Sequence, residues 1–178
     1  MPIIATAFTG QVVRCIPHPA TEPLSGALSR EHGGRWNPPG SFPVLYTFLS
    51  RRVARTWVEA RLARGGIALS EVQPEALPDL LVLECHLEQL ADLATDAGLK
   101  EVGLPSTYPI GFETEAAYPT TRPIGMSVYS ARAHGVLTRS ATATSWEGPV
   151  MNWGEIAIFT DYASPPILIE RLSHERWL

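Results

Sequence analysis

The hydrophobic and polar positions divide the chain into short runs of two periods. Val12-Val13-Arg14-Cys15-Ile16 is a β-branched run stopped by Pro17 and Pro19, which predicts an early strand. Val44-Leu45-Tyr46-Thr47 predicts a second. Ser50 is then placed to cap a helix over Arg51–Arg64, with Gly65-Gly66 ending it. In that helix Val53, Ala54, Trp57, Val58 and Leu62 share one face, while Arg52, Arg55 and Glu59 fall on the opposite side. Leu81 to Glu88 alternates apolar and polar residues, as a strand with one wet face does. The stretch from Leu90 to Leu104 fits either element. A helix is predicted from near Pro123 towards Arg132, with Gly135 just beyond it. Three further strands follow at Val136–Ser140, Glu155–Phe159 and Ile167–Glu170.

Strand-rich ends around two central helices do not alternate regularly, which argues against a doubly wound parallel sheet and for an α+β fold. Nothing resembling a linker, repeat or low-complexity tract splits the sequence, so one domain over residues 1–178 is expected. From Pro17 to Pro43 the chain reads as a loop rich in Pro, Ser and Gly. Ordering so long a loop costs backbone entropy, and such loops inside compact domains tend to carry function.

Composition narrows the function classes. The net charge is −4, and all but one of the 14 basic residues are arginine, scattered rather than clustered, which argues against a general nucleic-acid or membrane-surface binder. The chain opens without a basic leader, and no run approaches the roughly 20 apolar residues of a membrane span. A soluble cytoplasmic protein is the expectation. Cys15 and Cys85 each sit in apolar surroundings and read as free thiols. The five histidines lack zinc-site spacing and no CxxC occurs, so no metal is expected. Ser106 and Ser130 lack the context of a nucleophile elbow. Trp146, Trp153 and Trp177 read as core or interface aromatics.

Three places could carry chemistry. In His32-Gly33-Gly34-Arg35-Trp36-Asn37-Pro38-Pro39-Gly40 the glycines permit unusual backbone geometry and the prolines stiffen the exit. Arg35 could then be presented as a fork for phosphate or carboxylate. The same residues also suit a tight turn in which Trp36 plugs the core and Arg35 makes an ion pair. Glu59 is a carboxylate on the polar side of a helix, free for chemistry or paired with Arg55 four residues earlier. Ser140, followed by Ala141, Thr142 and Thr144, could be a site hydroxyl or one that satisfies a turn.

Taken in order, these segments resemble the RES family, named for an arginine, a glutamate and a serine. The resemblance rests on Arg14, Leu24-Ser25-Gly26-Ala27, Gly33-Gly34-Arg35-Trp36-Asn37 with Pro38-Pro39-Gly40, Tyr46, Glu59, and Gly135 through Arg139-Ser140-Ala141. It spans nearly the whole chain, and the run Gly33–Asn37 followed by a strand with Tyr is its most specific part. The spacing from Tyr46 to Glu59 is slightly longer than the family's, which a small insertion at Ser50-Arg51-Arg52 accounts for.

The resemblance implies an ADP-ribosyltransferase-like fold, with a mixed, largely antiparallel β core flanked by helices. It further implies a toxin that breaks the nicotinamide–ribose bond of NAD, paired with an Xre-type antitoxin, as a homodimer or a toxin–antitoxin hetero-oligomer. Glu59, Arg35 and Ser140 are then the expected catalytic residues. Arg14, Arg35, Asn37, Tyr46 and Ser140 are expected to bind the dinucleotide. Nicotinamide in NAD is a cationic pyridinium that leaves as a neutral molecule, so no acid need protonate it and one carboxylate can suffice. Water, phosphate or a host protein could accept the ADP-ribose, making the activity that of a glycohydrolase, a phosphorylase or a mono-ADP-ribosyltransferase. A catalytically silent binding module on the same fold is the reading from another class.

Overall fold

The computed structural model describes residues 3–19, 22–110, 115–143 and 145–172. Thr144 and Trp177 lie outside them. Six strands form one sheet in the order β1-β2-β5-β4-β3-β6, with β1 also paired to β3. They are β1 (Ala5–Ile16), β2 (Val44–Phe48), β3 (Asp79–Leu93), β4 (Gly135–Arg139), β5 (Gly154–Phe159) and β6 (Ile167–Leu172). The β1–β3 pairing closes β1, β2, β5, β4 and β3 into a ring, with β6 attached outside it. Only β3–β4 is parallel among the described pairings. Helices α1 (Ala27–His32), α2 (Arg51–Arg64), α3 (Asp96–Glu101) and α4 (Tyr118–Ser130) complete the α+β architecture.

The two-residue period of the strands explains where the core divides. Val12, Leu45, Leu81, Leu83, Leu137, Ile156 and Ile158 point into one buried cluster. Their strand neighbours turn the other way. Val13, Phe48, Leu80 and Val82 pack beneath α2, against its Val53, Ala54 and Val58. Val44, Val136, Ala157 and Phe159 join Trp36, Tyr108 and the α4 residues Ile124 and Val128 in a third cluster. That third face also carries Tyr46, and the same period puts Glu155, Thr138 and Ser140 on it.

Helix α2 begins and ends as its sequence predicts, with the Ser50 side chain accepting from the Val53 backbone N–H and Gly65 at the C-terminus. The other helices depart from expectation. The supposed loop before Pro43 contains α1, a six-residue helix without a buried residue, too short to show a periodic apolar face. The segment at Leu90–Leu104 proves to be both elements: β3 runs on to Leu93, and Thr95 caps α3 through the Gly98 N–H. Helix α4 starts at Tyr118, ahead of the predicted Pro123. Pro119 occupies the first turn, while Pro123 sits inside the helix.

An ion-pair network ties one end of β3 to β6 and to the segment that follows β1. The Asp79 carboxylate, only 3% exposed, accepts from Arg171 Nε at 2.9 Å and also from Arg171 Nη2, and meets His18 Nδ1 at 3.0 Å. Burial raises its pKa, but the His18 and Arg171 hydrogen bonds outweigh that and hold it below the ordinary value of 3.8. The resulting stability is present above the unfolded-state pKa and lost as pH falls through the lower folded value. Asp79→Asn is expected to cost about 1–3 kcal/mol at neutral pH. Urea denaturation should show that loss at pH 7 and a smaller difference from wild type below pH 3.8.

Both thiols are free. Burial pushes Cys15 up to about 12 and Cys85 to about 11, so neither is a ready thiolate nucleophile at neutral pH.

Candidate active site

The segment Gly33–Asn37 crosses the third sheet face and is fixed from three sides. Gly33 has φ +73°, a conformation that favours glycine, and a Cβ on Gly34 would come within 2.7 Å of Tyr46 Cε2. Both glycines are therefore required by the path of the loop. Trp36, 1% exposed, packs into the cluster with Tyr108 and Ile124. From above, α4 grips the loop backbone: Thr121 Oγ1 donates to the Arg35 carbonyl at 2.6 Å, and Arg122 Nε to the Gly34 carbonyl at 3.0 Å. Gly125 lets α4 approach so closely that any Cβ there would collide with the Trp36 carbonyl. Trp36 plugs the core, as the tight-turn reading has it, and that anchoring fixes Arg35.

Asn37 and Tyr46 brace the same loop from the sheet side. Asn37 is fully buried; its Nδ2 donates to the Ser29 and Phe42 carbonyls at 2.6 and 3.0 Å, and its Oδ1 accepts from the Tyr46 hydroxyl at 2.8 Å. The Tyr46 hydroxyl in turn accepts from the Trp36 N–H at 3.0 Å. Burial raises the Tyr46 pKa, keeping its proton available for Asn37. Arg14 is likewise turned inward. Its guanidinium donates to the carbonyls of Pro23, Ser25 and Tyr46 at 3.2–3.3 Å, and burial lowers its pKa to about 10.

Arg35 faces a residue that sequence reading did not single out. Its Nη1 lies 3.8 Å from Glu155 Oε2, with the two side chains only 16% and 14% exposed. Neither Arg35 Nη1 nor Glu155 Oε1 has a hydrogen-bond partner among the described residues. Burial raises the Glu155 pKa, an effect that Arg35 and the Ser140 hydroxyl partly oppose. Burial alone would lower Arg35; Tyr108, Glu155, Tyr46 and Tyr118 more than offset it, and the group stays charged. The residue was hidden because Glu155 opens an otherwise apolar strand, Glu155-Ile156-Ala157-Ile158-Phe159, where a charged first residue reads as a solvent-facing end. A strand with both faces buried gives such a carboxylate nowhere to point but inward.

Ser140 follows β4 and is fully buried. Its Oγ accepts from the Thr142 N–H at 3.2 Å and lies 3.0 Å from Thr142 Oγ1, while its carbonyl accepts from Trp146 Nε1 at 3.0 Å. Ser140 thus closes a turn and borders Glu155 at the same time. Glu59, on α2, pairs with Arg55 Nε at 2.9 Å and is 40% exposed. One turn earlier on the helix, Thr56 Oγ1 comes within 3.5 Å of Thr142 Oγ1. Glu59 lies on the same helix, one turn beyond the residue that reaches Thr142. No group of three or more metal-ligating His, Cys, Asp or Glu side chains occurs among the described residues.

A family model described as "RES domain" matches residues 11–176. Proteins named NAD(+) phosphorylase MbcT from Mycobacterium bovis and Mycobacterium tuberculosis are 30% identical over 118 residues, covering 66% of this chain. The match takes in 61% of those relatives' length, less than two thirds. Among solved structures, the crystal structure of the M. tuberculosis MbcT-MbcA toxin-antitoxin complex contains a chain that aligns with a TM-score of 0.77 at 21% identity. That alignment covers 97% of this chain and 89% of the other, and shows a shared fold. No helix among the described residues is long and apolar enough to cross a membrane.

Proposed function

The chain belongs to the RES domain family, and from that premise we propose that it degrades NAD, transferring its ADP-ribosyl group to inorganic phosphate. The observation that carries this reading is a charged guanidinium, Arg35, held by a rigid loop at a nearly buried position beside Tyr46, Glu155 and Ser140. Such a constellation suits a ligand that is anionic along its diphosphate and polar at its sugar and amide. The choice of phosphate as acceptor follows the name of the curated relatives.

In the proposed reaction the bond between the ribosyl anomeric carbon and the pyridinium nitrogen breaks. Its electron pair leaves with nicotinamide, which departs neutral. A phosphate oxygen forms the new bond to the anomeric carbon, so the products are nicotinamide and a 1-phosphorylated ADP-ribose. Glu59 is the carboxylate that stabilises the cationic ribosyl centre and orients a ribose hydroxyl. To do so it exchanges Arg55 for substrate, and an exposed i,i+4 pair holds it by only about 0.3–0.5 kcal/mol. Arg35 directs its remaining N–H groups to the diphosphate, and the Tyr46 ring lies against the ribosyl end. Arg14 and Asn37 act by fixing the backbone that carries Tyr46 and Arg35. Ser140 steadies the inner carboxylate.

The proposal includes an antitoxin partner, by extension from the matched toxin-antitoxin complex. The Xre type of that antitoxin and a cytoplasmic location belong to the same proposal. To test the activity, the purified protein is incubated with NAD with and without phosphate, nicotinamide is quantified, and ³¹P NMR identifies the phosphorus products. Phosphate-dependent release with a new sugar-phosphate resonance is expected. Release without phosphate would make water the acceptor, and no release would reject the reading.

A further inference from the structure

Glu155 has no role in the site residues that the family motif brings forward, yet its surroundings are those of a ligand group. It is the second residue of β5, between Phe48 of β2 and Thr138 of β4, its register partners. Its side chain and that of Arg35 retain a small exposure, 14% and 16%, while Arg35 Nη1 and Glu155 Oε1 are themselves buried. A purely structural ion pair in so buried a place would close to hydrogen-bond distance, because a buried charge without partners is costly. Here Arg35 Nη1 and Glu155 Oε2 stand 3.8 Å apart, and Arg35 Nη1 and Glu155 Oε1 have no hydrogen-bond partner among the described residues. The missing partner is therefore a group that accepts from a guanidinium and donates to a carboxylate along one edge. The carboxylate also counts against a phosphate at this spot, since it would repel one.

A primary carboxamide offers that edge: its oxygen accepts and its NH₂ donates. We propose that Arg35 Nη1 and Glu155 together receive the carboxamide of NAD's nicotinamide ring, and that Glu155 sets the protein's preference for the amide over the corresponding acid. This assignment rests on the NAD-cleaving function proposed above. The pyridinium charge of the bound ring would favour an ionised Glu155, offsetting the burial that disfavours its charge. A dinucleotide carrying nicotinic acid in place of nicotinamide puts a second carboxylate against Glu155 and removes the donor.

The test compares kcat/KM for NAD and for nicotinic acid adenine dinucleotide in the wild type and in Glu155→Gln, with nicotinamide or nicotinate release as the readout. Wild type should favour NAD by roughly ten- to a hundredfold, the weight of one charge-assisted hydrogen bond. Glu155→Gln should shrink that preference by a similar factor, losing activity on NAD while gaining relative activity on the acid. A wild type that consumes both dinucleotides equally overturns the assignment without any variant needing to fold. So does a Glu155→Gln protein whose activity falls equally on both, which would put Glu155 at the ribose or in a structural role. A wild type that releases nothing from NAD fails differently: the function itself is then wrong and the assignment goes with it.

Discussion

Glu59→Gln is expected to lower the rate of nicotinamide release from NAD by about 10²–10³-fold, the usual consequence of removing a group aimed at developing charge. Stability should barely change. Glu59 is 40% exposed and pairs, among the described residues, with Arg55 of the same helix, so thermal unfolding should stay within about 0.5 kcal/mol of wild type. A large drop in kcat with an unaltered melting curve separates chemistry from folding. If the folded variant consumes NAD at the wild-type rate, Glu59 is only a surface ion-pair partner and the carboxylate of the reaction lies elsewhere, with Glu155 next in line.

Arg35→Ala should be the most damaging change to function and fold together. Substrate loses its guanidinium, so kcat/KM should fall by at least about 10²-fold. The Glu155 carboxylate meanwhile loses the group that opposes its burial, a cost of about 1–3 kcal/mol that calorimetry should register as a lowered Tm. Combining Arg35→Ala with Glu155→Gln removes the stranded charge. The double variant should recover much of the lost stability and none of the activity. Additive losses in Tm would instead show that the two side chains do not interact, contrary to the 3.8 Å separation.

Much of this arrangement is readable in the chain before any coordinates. Strong local signals survive folding: the Ser50 cap and Gly65 bound α2, and the alternation around Leu81–Glu88 lies within β3. The order Arg14, Gly33–Asn37, Tyr46, Glu59 and Ser140 marks the family; Gly33–Asn37, Tyr46 and Ser140 converge on one loop and one sheet face, while Arg14 lies on the side of β1 that carries Val12 and Ile16 and Glu59 stands on α2. What the chain conceals is how each polar group is used. Arg14 and Asn37 carry the residue types of ligand-binding groups, yet their hydrogen bonds go to backbone carbonyls 5 to 32 residues away, and no periodic pattern encodes those partners. Glu155 is hidden for the converse reason. Its neighbours in sequence are apolar strand residues, and its partners Arg35 and Ser140 arrive only through the pairing of β5 with β2 and β4. Helix α1 and the early start of α4 escape notice because each is settled by contacts with the loop and sheet rather than by an apolar stripe.

The face bearing Arg35, Tyr46, Glu155 and Ser140, with Glu59 on the adjoining helix, is the proposed place of NAD cleavage. The most direct test is the initial rate of nicotinamide release from NAD, in phosphate buffer, by purified wild type, Glu59→Gln and Arg35→Ala. Circular dichroism on each sample would confirm the fold. Release by the wild type, and a fall of about 10²-fold or more in both folded variants, is the result predicted here. Absence of release by the wild type, or equal release by all three proteins, would contradict it.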